Sequence, residues 1–259
     1  MRHLARRTLL FSLACAPLWA PAWAQPRAGA FALELSPREI IDARAEAYSS
    51  TVDPDDRITW DVYAPAPRDR PPGLFVYISP VPTGAAPEDW RRVLEDSNLV
   101  WIGARQAGNE ILTNKRFMFA VLAVEAIKTE IAIDVDRVYV GGFSGGGRVA
   151  SMVASELPGV FKGAMYFAGV NWVPPRDADW LQLMRSNWFV FVTGRHDFNR
   201  GDTRRAYREY RDADIEQILL LDLGYLGHRL PRVDDFENGV RFLDGLGSRS
   251  AAGGEDNLR

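Results

Sequence analysis

Ser144 is the residue of this chain whose surroundings best suit a nucleophile. It stands in Gly142-Phe143-Ser144-Gly145-Gly146, directly behind the apolar run Arg137-Val138-Tyr139-Val140-Gly141. The β-branched Val138 and Val140 predict a strand that stops abruptly at the glycines. Past the turn, Val149, Met152 and Val153 fall at helical spacing, and Pro158-Gly159 ends the helix. A serine at the apex of a tight strand-to-helix turn has its hydroxyl pushed outward, where a neighbouring base can take its proton. Glycines two residues before and two after it let strand and helix pack without a Cβ between them.

The base must be a histidine, and the chain has three. His3 falls in a segment expected to be removed, which leaves His196 and His228. Where a serine occupies such an elbow, the partners follow in chain order as an acid and then the histidine. His228 lies in Leu226-Gly227-His228-Arg229-Leu230-Pro231, after the apolar run Ile218-Leu219-Leu220-Leu221 and before a helical stretch with Phe236, Val240, Phe242 and Leu243. The acid in that order is Asp197, which closes the run Trp188-Phe189-Val190-Phe191-Val192 through Thr193-Gly194-Arg195-His196. It could hold the imidazole in one tautomer and stabilise the imidazolium. Two other readings stay open: Ser144 with His196 and either Asp177 or Asp179, and Asp197 as the N-cap of a helix containing Thr203 to Arg211.

The elements that must position these groups alternate along the chain. Phe31 to Leu35 and Ile58 to Tyr63 read as early strands, the second with Thr59, Asp61 and Ala64 on a wet face, suiting a sheet edge. Residues 73–78 and 99–102 are near-continuous apolar runs. A long helix is expected from Asn114 to Ile133, with Phe117, Val121, Val124 and Ile127 on its buried stripe. Further strands follow at Val138, over Gly163-Ala164-Met165-Tyr166-Phe167, at Trp188 and at Ile218. This alternation predicts an α/β fold: a mostly parallel central sheet with helices on both faces. Ligands then collect at the carboxyl ends of the strands, where Ser144, Asp197 and His228 all fall. The segment between the Phe167 and Trp188 strands is too short for a large lid, so an open site is expected.

The first residues have the parts of an export signal. Arg2, Arg6 and Arg7 precede an apolar stretch from Thr8 to Trp19, and Ala22-Trp23-Ala24 is a small-x-small cleavage site. Arg6-Arg7-Thr8-Leu9-Leu10 also resembles a twin-arginine signal, so the export route stays open. We therefore expect a signal over residues 1–24, one domain over 25–247 and a polar, disordered tail over 248–259, with a periplasmic or secreted location. The apolar stretch is too short for a permanent membrane span. The one cysteine, Cys15, lies inside the signal, so the mature chain has neither a disulfide nor a thiolate metal site. A formal net charge of −3 speaks against nucleic-acid binding, which needs a basic face. Arg204, Arg205, Arg208 and Arg211, interleaved with Glu209 and Asp212, read as a solvated helix face.

The run Ile133-Asp134-Val135-Asp136-Arg137-Val138-Tyr139-Val140-Gly141-Gly142-Phe143-Ser144-Gly145-Gly146-Gly147 resembles the elbow region of α/β-hydrolase esterases, in the branch related to polyhydroxyalkanoate depolymerases and feruloyl esterases. Thr193-Gly194 to Asp197 and Gly227-His228 to Pro231 are similar to that family's acid and base loops. The resemblance runs from about Trp60 onward. It implies the α/β-hydrolase fold, ester hydrolysis by a Ser-Asp-His triad, and no cofactor or metal. This chain departs from the family in one place: the His-Gly pair that many members carry after the third strand is replaced by Ser79-Pro80-Val81.

A tetrahedral intermediate needs donors for its negative oxygen. The backbone N–H of Gly145, directly after the serine at a helix start, is one. Pro80 has no N–H, so Val81 is the expected second donor, with Ser79 in reserve. For substrate, Trp172 and Trp180 could form an aromatic wall, and Asn199, Asn109 and Arg116 could line the pocket. The expected substrate is a small-molecule or oligomeric ester. Peptide or acyl-transfer chemistry, or ligand binding without turnover, would suit the same fold.

Overall fold

The computed structural model describes residues 27–41 and 49–246. The expected signal over 1–24, with His3 and Cys15, and the expected tail over 248–259 lie outside the described residues. Eight strands form one sheet: β1 Gly29–Leu35, β2 Ile58–Ala64, β3 Gly73–Ile78, β4 Leu99–Ala104, β5 Val138–Phe143, β6 Gly163–Phe167, β7 Trp188–His196 and β8 Ile218–Gly227. Their order is β1-β2-β4-β3-β5-β6-β7-β8. Only β2 runs against its neighbours; from β4 across to β8 every pairing is parallel.

Every residue of β3, β4 and β6 is buried, as a parallel strand covered on both faces requires. On one face pack α1 Pro37–Ile41, α3 Thr113–Lys128, α4 Gly145–Glu156 and α6 Arg200–Asp212, around a core that includes Trp60, Phe119, Val153, Phe191 and Tyr210. On the other, α2 Arg91–Asp96 and α7 Val233–Leu243 enclose an aromatic cluster of Phe75, Trp90, Trp101, Phe167 and Phe236. Trp90 and Phe236 stack there with ring centroids 4.0 Å apart. Between β6 and β7 the only helix is the short α5, Ala178–Arg185, and no large lid is inserted there.

Three local expectations are corrected. β2 is not the edge, because β1 pairs along its whole length. Its buried face is Ile58, Trp60, Val62 and Ala64, and Tyr63 rather than Ala64 joins Thr59 and Asp61 on the wetter side. The long helix ends at Lys128 rather than Ile133: the Thr129 hydroxyl donates to the Ala126 carbonyl at 2.8 Å, closing the last turn as the chain bends away. That helix is also buried more broadly than one stripe. Ala123, Ala126 and Ile127 are fully enclosed between the sheet and its neighbours, while Phe117 and Val121 are only partly buried.

The strands β7 and β8 outrun their apolar cores, reaching His196 and Gly227 with a shift of register between Gly194 and His196. Asp197 is therefore the first residue after β7, His228 the first after β8, and Ser144 the first after β5. Three parallel strands deliver three polar side chains to one end of the sheet.

Candidate active site

The serine sits at a strained corner. Ser144 has φ 53° and ψ −119°, a conformation that costs a non-glycine residue roughly 1–3 kcal/mol and persists only where its surroundings enforce it. Its N–H donates to the Phe167 carbonyl at 2.8 Å, which fixes the corner to β6. A Cβ on Gly142 would lie 2.4 Å from the Gly146 carbonyl carbon, and one on Gly146 would lie 1.9 Å from the Ile78 carbonyl oxygen. Strand and helix meet at a distance that excludes side chains at both positions.

His228 Nε2 lies 2.9 Å from Ser144 Oγ, and its Nδ1 lies 2.8 Å from Asp197 Oδ1. With the Nδ1 proton donated to the carboxylate, Nε2 is left to accept from the serine hydroxyl. Asp197 is buried, and two further donors hold it: Thr193 Oγ1 reaches Oδ2 at 2.7 Å and the Asn199 N–H reaches Oδ1 at 3.0 Å. Asn199 is itself buried, donating from Nδ2 to the Ala168 carbonyl at 2.8 Å and accepting from Arg148 at 3.2 Å. It braces the acid's loop instead of lining a pocket, and it is the N-cap residue of α6, the place the sequence left open for Asp197.

Opposite the histidine, Gly145 opens α4. As the first residue of the helix its N–H has no intrahelical acceptor and sits at the positive end of the helix dipole. The loop after β3 faces it. There the Val81 N–H donates to Ser79 Oγ at 3.2 Å, and the carbonyls of Pro80 and Pro82 accept from the N–H groups of Asn109 and Gln106 at 3.0 and 3.2 Å. Arg116, only 4% exposed, donates to the carbonyls of Ala107 at 3.0 Å and Ser79 at 2.9 Å. It fastens the loops after β3 and β4 to each other. Burial lowers its pKa, with Glu110 acting in the opposite sense.

The two tryptophans do not form a wall over Ser144. Trp180 Nε1 donates to the carbonyl of Glu156, the last residue of α4, at 3.0 Å. Ser144 caps the other end of that 12-residue helix, about 18 Å away. Trp172 packs edge-on to Tyr210, centroids 5.0 Å apart, against the core. Nor do the rival partners assemble: His196 is exposed at the end of β7, and Asp177 caps α5 by accepting from the Trp180 N–H at 2.9 Å. Two site residues escaped the sequence reading. Thr193, a polar residue closing an apolar run, could have been flagged as a partner for Asp197. Phe198, 77% exposed, lies against His228 with centroids 3.8 Å apart, and its position beside the acid was the available signal.

Among the described residues no group of three His, Cys, Asp or Glu side chains could hold a metal ion, and no helix is long and apolar enough to cross a membrane. The arrangement brings a serine hydroxyl, an imidazole, a buried carboxyl group and a backbone N–H at a helix start to one edge of the sheet.

No protein-family model matches the sequence, and no curated protein matches it. Solved structures do match its architecture. A ferulic acid esterase is similar with a TM-score of 0.60 at 12% identity, over 85% of this chain and 100% of the other. A structure from work on two fungal esterases from Rhizomucor miehei is similar at 0.57 and 12% identity, over 74% of this chain and 79% of the other. Dipeptidyl peptidase 4 of Porphyromonas gingivalis is similar at 0.57 and 18% identity, over 73% of this chain. This chain spans only about a third, 34%, of that peptidase's length. At these identities the likeness establishes the fold.

Proposed function

We propose that this chain, which has the α/β-hydrolase fold, is an exported serine hydrolase that cleaves carboxylic esters through an acyl-enzyme. One observation carries the reading: the continuous hydrogen-bonded chain from Ser144 through His228 to Asp197, each residue the first after a parallel strand. His228 Nε2 takes the proton of Ser144 as Oγ bonds to the ester carbonyl carbon. The carbonyl π electrons move to oxygen, where the Gly145 N–H receives the negative charge and Val81 becomes a second donor by releasing Ser79 Oγ. The intermediate collapses, the bond to the alkoxy oxygen breaks, and His228 returns the proton to the departing alcohol. Water then repeats the sequence on the acyl-enzyme. Asp197 keeps Nδ1 protonated and stabilises the imidazolium without being protonated itself.

The short β6–β7 connection supports a site open to small or oligomeric esters. Export rests on the basic, apolar and small-x-small pattern of residues 1–24. The fold's likeness to a dipeptidyl peptidase supports amide cleavage as the second reading. A panel of nitrophenyl esters, acetylated sugars, feruloyl esters, short polyester oligomers and peptide anilides separates the two. Ester turnover that is lost in Ser144→Ala is expected, and peptide cleavage without ester cleavage would reverse the order.

A further inference from the structure

The oxyanion side of the site has a deficit. Pro80 has no N–H, and the Val81 N–H already donates to Ser79 Oγ. One side chain lies where it can make this good. The Asn109 carboxamide rests directly against Gly145: a Cβ there would come within 2.2 Å of Oδ1, 2.8 Å of Cγ and 3.0 Å of Nδ2. Asn109 thus occupies the space a side chain at position 145 would take, beside the residue whose N–H faces the reacting carbonyl. Its backbone is anchored, since its N–H donates to the Pro80 carbonyl at 3.0 Å. Arg116 fixes the flanking Ala107 carbonyl and Ser79 carbonyl, so both loops are held rigidly around it. Among the described residues the carboxamide itself has no hydrogen-bond partner, and Asn109 is exposed.

We propose that Asn109 is a catalytic residue whose side-chain N–H donates to the oxyanion alongside Gly145. It adds a donor to those of Gly145 and Val81, the latter being engaged with Ser79 Oγ at rest. This rests on the serine-hydrolase reading above. Oδ1 is the carboxamide atom nearest Gly145 at rest, but because the group is unpaired its Nδ2 can turn to the oxyanion with no hydrogen bond broken, whereas Val81 must first give up Ser79.

The test measures kcat and KM for a nitrophenyl ester, together with inhibition by an alkyl boronic acid, for wild type, Ser144→Ala, Asn109→Ala and Asn109→Asp. Both Asn109 variants keep the backbone bond to Pro80, and unchanged thermal unfolding will show that they fold. Loss of one oxyanion donor lowers kcat by about 100-fold. We expect that loss in Asn109→Ala with KM within about twofold, and boronate affinity weakened in parallel with kcat/KM. Asn109→Asp, the same shape with an acceptor and negative charge, falls at least as far. If wild type turns over through Ser144 but both variants keep kcat within twofold, or Asn109→Asp is fully active, the Asn109 role is wrong and the serine-hydrolase reading stands. If wild type shows no Ser144-dependent turnover, the serine-hydrolase reading falls and takes this role with it.

Discussion

Phe198 lies against the imidazole of His228, ring centroids 3.8 Å apart and planes tilted by 31°, although 77% of its surface faces solvent. Phe143 lies 5.0 Å from the same imidazole. An exposed ring gains little stability from such a contact, and the expected effect is on the histidine, whose ring it would hold in the orientation that reaches Ser144. Aromatic contacts of this kind contribute about 0.5–1.5 kcal/mol, or roughly 2- to 10-fold in rate. Phe198→Ala should lower kcat by that factor and leave the thermal midpoint nearly unchanged. Steady-state kinetics beside calorimetry checks both, and an unaltered kcat would dismiss the positioning role.

Much of this site could be read from single segments. Asp197 and His228 could be singled out because each stands a few residues past an apolar run, and parallel strands deliver the residues after them to one edge. The strands β3 to β7 were legible because burial on both faces leaves near-continuous apolar sequence. Errors arose where a residue's role depends on a distant partner. Arg116 reads as polar and accessible, yet it is buried between two loops whose carbonyls it joins. Trp180 follows the site in sequence but is drawn to the far end of α4 by its bond to Glu156. The contact of Asn109 with Gly145 joins segments with no shared periodicity, and nothing in either segment announces it.

The two histidines of the described chain should behave differently with pH. A general base must be neutral, so kcat/KM should fall on acidification along a single-proton limb. His196→Ala should keep that limb and nearly full activity, because His196 is exposed and its neighbour across the sheet is Gly227 rather than Ser144. His228→Ala should abolish the limb and leave only the residual rate that oxyanion donors and binding provide. Rate profiles of the two variants decide it. Silence in His196→Ala with a normal profile in His228→Ala would reverse the assignment.

Asp222 in β8 binds α6 to the sheet through Arg200 and Arg204, with closest contacts of 2.9 and 2.6 Å. Burial pushes its carboxyl upward, but the hydrogen bonds and charges of the two guanidinium groups outweigh this and hold it below the usual carboxylate range. A carboxyl so depressed stabilises the folded state above its unfolded value of about 3.9, and that contribution disappears as pH falls through the folded value. Asp222→Asn should cost about 1 kcal/mol at neutral pH, kept small because solvent screens Arg200. The gap to wild type should close from about pH 4 downward. Urea unfolding across pH measures it, and a gap that widens in acid would contradict the sign.

Gly146→Ala puts a methyl 1.9 Å from the Ile78 carbonyl oxygen, a backbone atom at the start of the loop that faces Gly145. Overpacking of this kind typically costs about 1–3 kcal/mol or more, and it must displace that loop. Gly159→Ala is the control, since nothing lies within 4 Å of its Cβ position. Differential scanning calorimetry should show a lowered midpoint for the first and almost none for the second. Equal midpoints would mean that strand and helix at the elbow are farther apart than described.

The most direct test of the central claim is intact-mass spectrometry after treatment with a fluorophosphonate. Ser144 Oγ, 2.9 Å from His228 Nε2, should displace fluoride and acquire one phosphonyl group. Wild type should gain a single adduct, with peptide mapping assigning it to Ser144, and Ser144→Ala should gain none. An adduct that persists in folded Ser144→Ala, or a folded wild type that is never labelled, would contradict the assignment of Ser144 as the nucleophile.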